Sequence, residues 1–298
     1  MGRRGGPPGP DGLAVVDKAA GWTSHDVVAK ARGLLGTRKV GHSGTLDPDA
    51  TGVLLLGVGK VTRLLRFLGL PPKTYTGVVV LGTATSTLDA SGEVTGTWAM
   101  ERVTLAEVRE AAAALTGDIE QVPPMVSAVQ VGGRRLHELA REGIEVERMA
   151  RPVTVHRFEV GEPTEPGAFP IEVECSSGTY IRTLAADVGS ALGGGAHLRD
   201  LRRTAIGSYT LAEAVALEAL TPEHLLPPAA AVRDLVSVTV GPDVAADISH
   251  GKVLPLERLG VAGDGPWPVL DEAGSLLAVY EPHGDATAKP AVVLSARQ

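Results

Sequence analysis

A single cysteine, Cys175, in 298 residues excludes an intramolecular disulfide framework and a multi-cysteine zinc site. Aromatic residues make up only 3%, so Leu, Val and Ala must build the core. No apolar run reaches the roughly 18 residues of a membrane span. The opening MGRRGGPPGPDG has no apolar stretch behind its arginines and does not read as a secretory signal. A cytoplasmic protein without membrane contact is expected, with residues 1–11 a disordered lead-in. A positive excess is also missing: the net charge is −7, which taken alone argues against a nucleic-acid partner.

The distribution of charge says more than its sum. Residues 1–73 hold eleven Lys/Arg against five Asp, and residues 236–298 hold four Lys/Arg against eight Asp/Glu. A basic N-terminal third beside an acidic tail permits a polyanion on one face. Hydrophobic residues at 44% and charged residues at 21% fit a globular chain of one large domain, or one large and one small.

Strands are expected at 13–17, 53–59, 74–82, 125–131, 152–161 and 171–176. Helices are expected from Thr23 or Ser24 to Leu35, over Lys60–Leu68, from Thr104 to Leu115, at 136–141, at 179–192 and at 211–220. Thr104-Leu-Ala-Glu107 has the capping-box pattern. Ile181, Leu184, Ala185, Val188 and Leu192 share one helical face. Gly41 to Gly52 reads as one long, turn-rich loop. Pro222, Pro227 and Pro228 mark a boundary, beyond which strands at 236–240, 267–270 and 275–280 form a small β-rich unit. Strands and helices mix without a regular βαβ rhythm. The fold class is therefore α/β in the mixed α+β sense, with a central mixed sheet flanked by helices.

The most informative stretch is Gly41-His-Ser-Gly-Thr-Leu-Asp-Pro-Asp-Ala-Thr-Gly52. Its glycines permit tight turns and close approach of a ligand, and Pro48 biases Asp47 toward an extended backbone. A carboxylate and His42 on such a loop suit the rim of an active site. An Asx-turn with a loop histidine is the commoner meaning of such a segment. Gly57-Val-Gly59-Lys60 fails as a P-loop, because Leu54 stands at the first glycine and Val61 at the magnesium ligand. Asp47-Pro-Asp49 is too sparse to specify a metal. Ser24-His25-Asp26 is not a triad, since consecutive helical side chains diverge. A second stretch, Cys175-Ser-Ser-Gly-Thr-Tyr-Ile-Arg182, ends a strand and opens a helix. Arg199, Arg202 and Arg203 follow around Leu201; they form either a phosphate-contacting surface or an ordinary solvated face.

Longer motifs decide between these readings. GHSGTLDPDATGVL (41–54), GTYIR (178–182) and GAHLRDLRR (195–203), with GLAVVDKAAGWTSHDVV (12–28) and QVPPMVSAVQVGGRRLHELAREG (121–143), resemble the bacterial TruB-type synthases, which convert uridine 55 of tRNA to pseudouridine. The resemblance spans about residues 12–210. It implies a pseudouridine-synthase fold, with a largely antiparallel central sheet in a catalytic domain over 12–230. An RNA-clamping insertion at about 83–150 and a PUA-like domain over 236–298 complete the expected organisation.

The same resemblance makes Asp47 the catalytic aspartate and Arg182 its paired arginine. Tyr75 becomes the residue that stacks on the target uracil, and His42 a holder of the RNA loop with its base flipped. Tyr180 and Leu201 line the base pocket. An arginine beside Asp47 is expected to lower its pKa. The chain departs from the family pattern at Ala19, Val126, Gln130 and His137, none of them in the catalytic set.

The reaction implied is an isomerisation: N1–C1′ breaks, the uracil turns, and C5 joins C1′. No cofactor and no metal are expected, and the partner is the T-arm of tRNA. No obligatory protein partner is implied, and the absence of an interface signature makes a monomer the default. The competing readings are a guide-RNA-dependent synthase of the dyskerin type, a non-catalytic tRNA-folding protein, and a metal-dependent transferase using Asp47 and Asp49.

Overall fold

The computed structural model describes residues 9–294, apart from Ala128 and Glu145 and the side chains of Val131, Arg135, His137 and Arg141. Most of the expected lead-in and the side chain of the His137 departure thus lie outside what is described. Among those described, Asp11 of the lead-in is tied down: its Oδ1 accepts from the backbone N–H of Lys60 at 2.7 Å.

In chain order the first half comprises β1 (Gly12–Lys18), α1 (Ser24–Leu34), β2 (Val40–Ser43), β3 (Thr51–Val58), α2 (Leu65–Leu68), β4 (Lys73–Leu81), β5 (Thr83–Thr85) and β6 (Val94–Thr97). Next come α3 (Leu105–Ala114), β7 (Gly117–Gln121), β8 (Gln130–Val131), β9 (Arg134–Arg135), α4 (Leu136–Arg141), β10 (Arg151–Val160) and β11 (Ala168–Cys175). They are followed by α5 (Ile181–Ala191), β12 (Ala196–Ile206), β13 (Tyr209–Thr210) and β14 (Val215–Ala216).

Ten of these strands form one sheet in the order β14-β1-β3-β12-β4-β11-β10-β7, with β2 beside β3 and β13 beside β12. The pairs β1·β14 and β3·β12 are parallel and the others antiparallel. The mixed, largely antiparallel sheet expected from the sequence is therefore present. β7, from the segment read as an insertion, is one of its edges.

Local sequence accounts for the principal elements. Seven consecutive residues of β3, Gly52 to Val58, are buried, as befits a strand covered on both faces. β4 alternates strictly between buried and half-exposed positions. Thr23 caps α1 in a reciprocal box with Asp26, and Thr104 does the same for α3 with Glu107. α5 buries Ile181, Leu184, Ala185 and Val188, and its Gly189 lets β12 approach. A Cβ there would stand 2.4 Å from Ala196 N.

Four expectations are corrected. Residues 211–220 are two 3₁₀ turns around β14, because Val16 and Asp17 recruit Val215 and Ala216 into the sheet. Residues 59–64 are 3₁₀ before α2 begins. The supposed 41–52 loop is strand at both ends, because Val40–Ser43 pairs with Leu55–Val58. Of the strand expected at 125–131, Gln130 and Val131 alone among the described residues are assigned to one.

A second, five-stranded sheet holds β15 (Val238–Thr239), β16 (Leu254–Pro255), β17 (Trp267–Leu270), β18 (Leu276–Pro282) and β19 (Thr287–Val293). It packs on the first sheet through an apolar cluster in which Leu276, Val279, Val292 and Leu294 join Leu13, Leu55 and Phe67. Basic side chains of the 59–68 segment reinforce this seam. Arg63 Nη1 donates to Val293 O at 2.7 Å, and Arg66 pairs with Glu281 at 2.8 Å.

Candidate active site

The Gly44–Ala50 turn between β2 and β3 carries Asp47 and is fastened from below. Ser24 Oγ accepts from Leu46 N at 2.9 Å and donates to Leu46 O at 3.2 Å. Lys18 Nζ donates to the carbonyls of Pro48 and Trp22 at 2.8 Å and of Ala19 at 2.9 Å. Gly21 N adds a bond to Pro48 O at 3.0 Å. Leu46 and Ala50 are buried, so the turn has little freedom and Asp47 projects from a fixed base.

Arg182, in the first turn of α5, meets that carboxylate: Nε lies 2.9 Å from Asp47 Oδ2. Arg182 is 4% exposed, and its fork is fully engaged. Nη1 donates to Thr87 O at 2.8 Å and faces Asp89 Oδ2 at 3.5 Å. Nη2 donates to Val126 O at 2.9 Å. A planar guanidinium reaches these partners at once, which a point-charge ammonium does not.

The expected lowering of the Asp47 pKa by Arg182 is only part of the balance. Burial raises it, Asp89 adds to the rise, and Arg182 and Lys18 pull it down; the net position is above the ordinary carboxylate value.

A cavity of about 290 Å³ opens at this pair, lined by Asp47, Lys73, Tyr75, Tyr180, Arg182, Leu201 and Arg203 with the Ser177–Thr179 turn. Small-molecule sites run from roughly 300 to 1,000 Å³, so the space suits one base. Tyr75 is 8% exposed on β4; burial raises its pKa, and the neighbouring Arg203 guanidinium pulls it the other way. Leu201 reaches the cavity at a bulge between Arg199 and Arg202, where Asp200 adopts φ 57°, a costly conformation for a non-glycine residue. A second cavity of about 390 Å³ shares Asp47, Arg182 and Leu201, and is further lined by Asp49, Asp89, Leu198 and Arg199.

Six of the expected site residues therefore line one cavity: Asp47, Tyr75, Tyr180, Arg182, Leu201 and Arg203. His42 sits apart on β2, its ring edge-on to His25 with centroids 5.2 Å apart. Its Nδ1 is buried without a hydrogen-bond partner. Burial, reinforced by His25 and Arg203, lowers its pKa to about 4, so it is neutral at pH 7.

Arg203 is not a surface phosphate contact. It is 1% exposed and donates from Nε to Val53 O at 2.7 Å and from Nη2 to Gly44 O at 3.1 Å. Gly52 makes this possible: a Cβ there would stand 2.1 Å from Arg203 O. Arg202 and Arg199 stay near the surface but are ion-paired, Arg202 with Asp17 at 2.7 Å and Arg199 with Glu165 at 2.6 Å and Asp200 at 3.0 Å.

Sequence reasoning did not single out Lys18, Asp89 or Gln121. Gln121 Oε1 accepts from Tyr180 N at 2.9 Å, and its Nε2 donates to Tyr180 O at 3.2 Å. The contacts that bring them to the site are distant in sequence: Lys18 with Pro48, Asp89 with Arg182 and Gln121 with Tyr180.

The fold and cavity together define a pseudouridine-synthase architecture. The chain matches one in a crystal structure titled as a Cbf5-Nop10-Gar1 complex with a TM-score of 0.75 and 25% identity, over 96% of this chain and 84% of that one. It also matches a chain of an H/ACA RNP bound to a substrate RNA containing 2′-deoxyuridine, with a TM-score of 0.74 and 22% identity, over 99% and 92% of the two chains. The model of the TruB family pseudouridylate synthase N-terminal domain matches residues 32–181, and that of the tRNA pseudouridylate synthase B C-terminal domain matches residues 182–235. Among curated relatives, the tRNA pseudouridine synthase B of Arthrobacter sp. (strain FB24) is 48% identical over 93% of this chain and 91% of its own length. That of Thermobifida fusca (strain YX) is 46% identical over 96% and 99%. The chain belongs to the TruB family of pseudouridylate synthases.

Proposed function

We propose that this protein isomerises uridine 55 in the T-loop of tRNA to pseudouridine. The observation that carries the reading is the 2.9 Å contact of Arg182 Nε with Asp47 Oδ2 at the mouth of a base-sized cavity with Tyr75 in its wall. A base stacked in an RNA loop cannot reach such a cavity, so the nucleotide must be flipped out. Tyr75 offers the aromatic face on which an unstacked base rests. Arg182 orients the carboxylate and holds it ionised against the cost of burial. Asp47 then acts on the ribose, either by attack on C1′ or by removing a ring proton, and C5 replaces N1 at C1′.

The finer assignments belong to this proposal. His42 holds the RNA loop as a neutral ring, and Tyr180 and Leu201 shape the pocket. Arg199 and Arg202 reach phosphates only by exchanging carboxylate partners, so their contribution to binding is modest. The catalytic body spans 12–230, the 83–150 segment clamps the RNA, and the sheet from Val238 onward is a PUA-like domain. The enzyme works in the cytoplasm as a monomer, without cofactor, metal or protein partner. No helix among the described residues is long and apolar enough to cross a membrane.

The test is pseudouridine formation on a bare, unmodified tRNA transcript in chelator, with Asp47→Asn as control. Conversion at position 55 by the wild type alone is the expected result. Turnover that appears only with a guide RNA and added proteins would replace this reading with the dyskerin-type one.

A further inference from the structure

One cation of the cavity has no part in the reading above. Lys73, the first residue of β4, lines the base cavity beside Tyr75 and Asp47, yet is only 5% exposed. The two neighbouring arginines are tied into the protein. Arg182 serves Asp47 and the carbonyls of Thr87 and Val126; Arg203 serves the carbonyls of Val53 and Gly44. Lys73 Nζ donates to Gly69 O at 3.1 Å and, more loosely, to Pro71 O at 3.4 Å. An ammonium has three donors, and among the described residues the third meets no acceptor and no carboxylate lies within ion-pair distance. A buried cation without a counter-ion is costly, and such groups concentrate where chemistry uses them.

We propose that Lys73 is a further catalytic residue of the base pocket: its ammonium donates to a ring carbonyl of the bound uracil and takes up the charge the ring acquires when it leaves the ribose. The inference rests on the function proposed above. When N1–C1′ breaks, the electron pair leaves with the base, giving a uracil anion delocalised onto its carbonyl oxygens. Asp47 compensates at the sugar, by bonding to C1′ or by taking a ribose proton, and the base is the same anion in either case. C5 then bonds to C1′, which re-forms as it was apart from this exchange, and the proton lost from C5 ends on N1. The product is an isomer, and Lys73 keeps its own proton throughout. A donor preorganised where charge develops is the usual form of such stabilisation.

The groups facing Lys73 set its titration. Desolvation and the positive charge of Arg203 lower its pKa to about 8, and the thiol of Cys175 on β11 acts in the other direction. Cys175 is itself pushed up to about 11 and is neutral at pH 7. Tyr75 on the same strand lies above its ordinary value. Lys73 is thus mostly charged at pH 7 and loses its proton as pH rises through about 8.

The experiment is single-turnover pseudouridine formation on bare tRNA from about pH 6 to about pH 10, for wild type, Lys73→Met and Lys73→Arg, with tRNA binding and melting temperature measured alongside. The wild-type rate is expected to fall about tenfold per pH unit above about 8. Lys73→Met is expected to be about 10²–10³-fold slower near neutrality, to lack that alkaline fall, and to bind tRNA as the wild type does. Lys73→Arg, which does not titrate in this range, should regain part of the rate and hold it at high pH. A Met variant with near-wild-type rate would overturn the proposal. So would an alkaline fall that survives in the Arg variant, which would belong to Lys18, also at about 8. If the Met variant does not fold, the comparison of wild type with Lys73→Arg still decides, and a flat wild-type profile overturns the assignment. A wild type inactive on tRNA at every pH would instead sink the function proposed above.

Discussion

Gln121 and Tyr180 are joined as two strands of a sheet would be: one carboxamide both accepts from and donates to the same residue's main chain, at 2.9 Å and 3.2 Å. Tyr180 is the N-cap of α5 and has no side-chain cap of its own. Gln121 thus fixes the entry into the helix that presents Arg182, two residues later, to Asp47. Gln121→Glu keeps the shape but loses the donor and sets a carboxylate against Tyr180 O. It should cost about 1–3 kcal/mol of stability and lower the turnover rate, while Gln121→Ala should lose both bonds. Chemical denaturation and single-turnover kinetics check this; an unchanged rate in both variants would make the clamp purely structural.

Asp47→Asn should abolish pseudouridine formation and leave tRNA affinity within a few-fold of wild type, because phosphate contacts carry most of the binding. Filter binding with single-turnover assay separates the two. A mutant retaining more than about a tenth of wild-type turnover would remove Asp47 from the chemistry.

Arg182→Ala should be nearly as damaging, and Arg182→Lys should rescue little, since an ammonium cannot serve Asp47, Thr87 and Val126 together. Burial already places the Asp47 pKa above normal and Arg182 opposes that rise. The sign follows: the reactive form is the carboxylate, so wild-type activity falls as pH drops through the raised value. Removing Arg182 shifts that acid limb to still higher pH. Rate against pH for the three proteins tests it, and an unshifted limb in the Ala variant would reduce Arg182 to a structural tie.

Tyr75→Phe should retain more activity than Tyr75→Leu. The Phe variant keeps the stacking face, whose loss costs about 1–3 kcal/mol per base, and removes only the hydroxyl. Equal inactivity of the two would assign the essential role to the hydroxyl instead.

What the sequence made legible was what local rules govern. Thr104 and Glu107 announce α3, alternation announces β4, and the glycine-rich turn around Asp47 stands out by its composition. Residues 211–220 misled because Thr210 and Glu213 cap a single 3₁₀ turn, and pairing of Val215 and Ala216 with β1 then overrides helical propensity. Arg203 misled for a related reason: in the run Arg199-Asp-Leu-Arg-Arg203 nothing distinguishes the arginine that turns inward. Its acceptors, Gly44 O and Val53 O, lie some 150 positions earlier in the chain. The charge excess of residues 1–73 was also partly internal, since Lys60, Arg63 and Arg66 reach toward the acidic tail rather than toward a ligand.

The apolar seam between the two sheets bears on how the chain comes apart. Leu276, Val279, Val292 and Leu294 complete the same core as Leu13 and Leu55, and β3, which carries Leu55, continues directly from the turn that holds Asp47. Heating should therefore melt the tail and the reactive centre in one cooperative step. A shortened chain ending before Val238 would leave greasy surface bare and clump before its chemistry could be assayed, so deletion of the tail is a poor way of asking what the tail recognises.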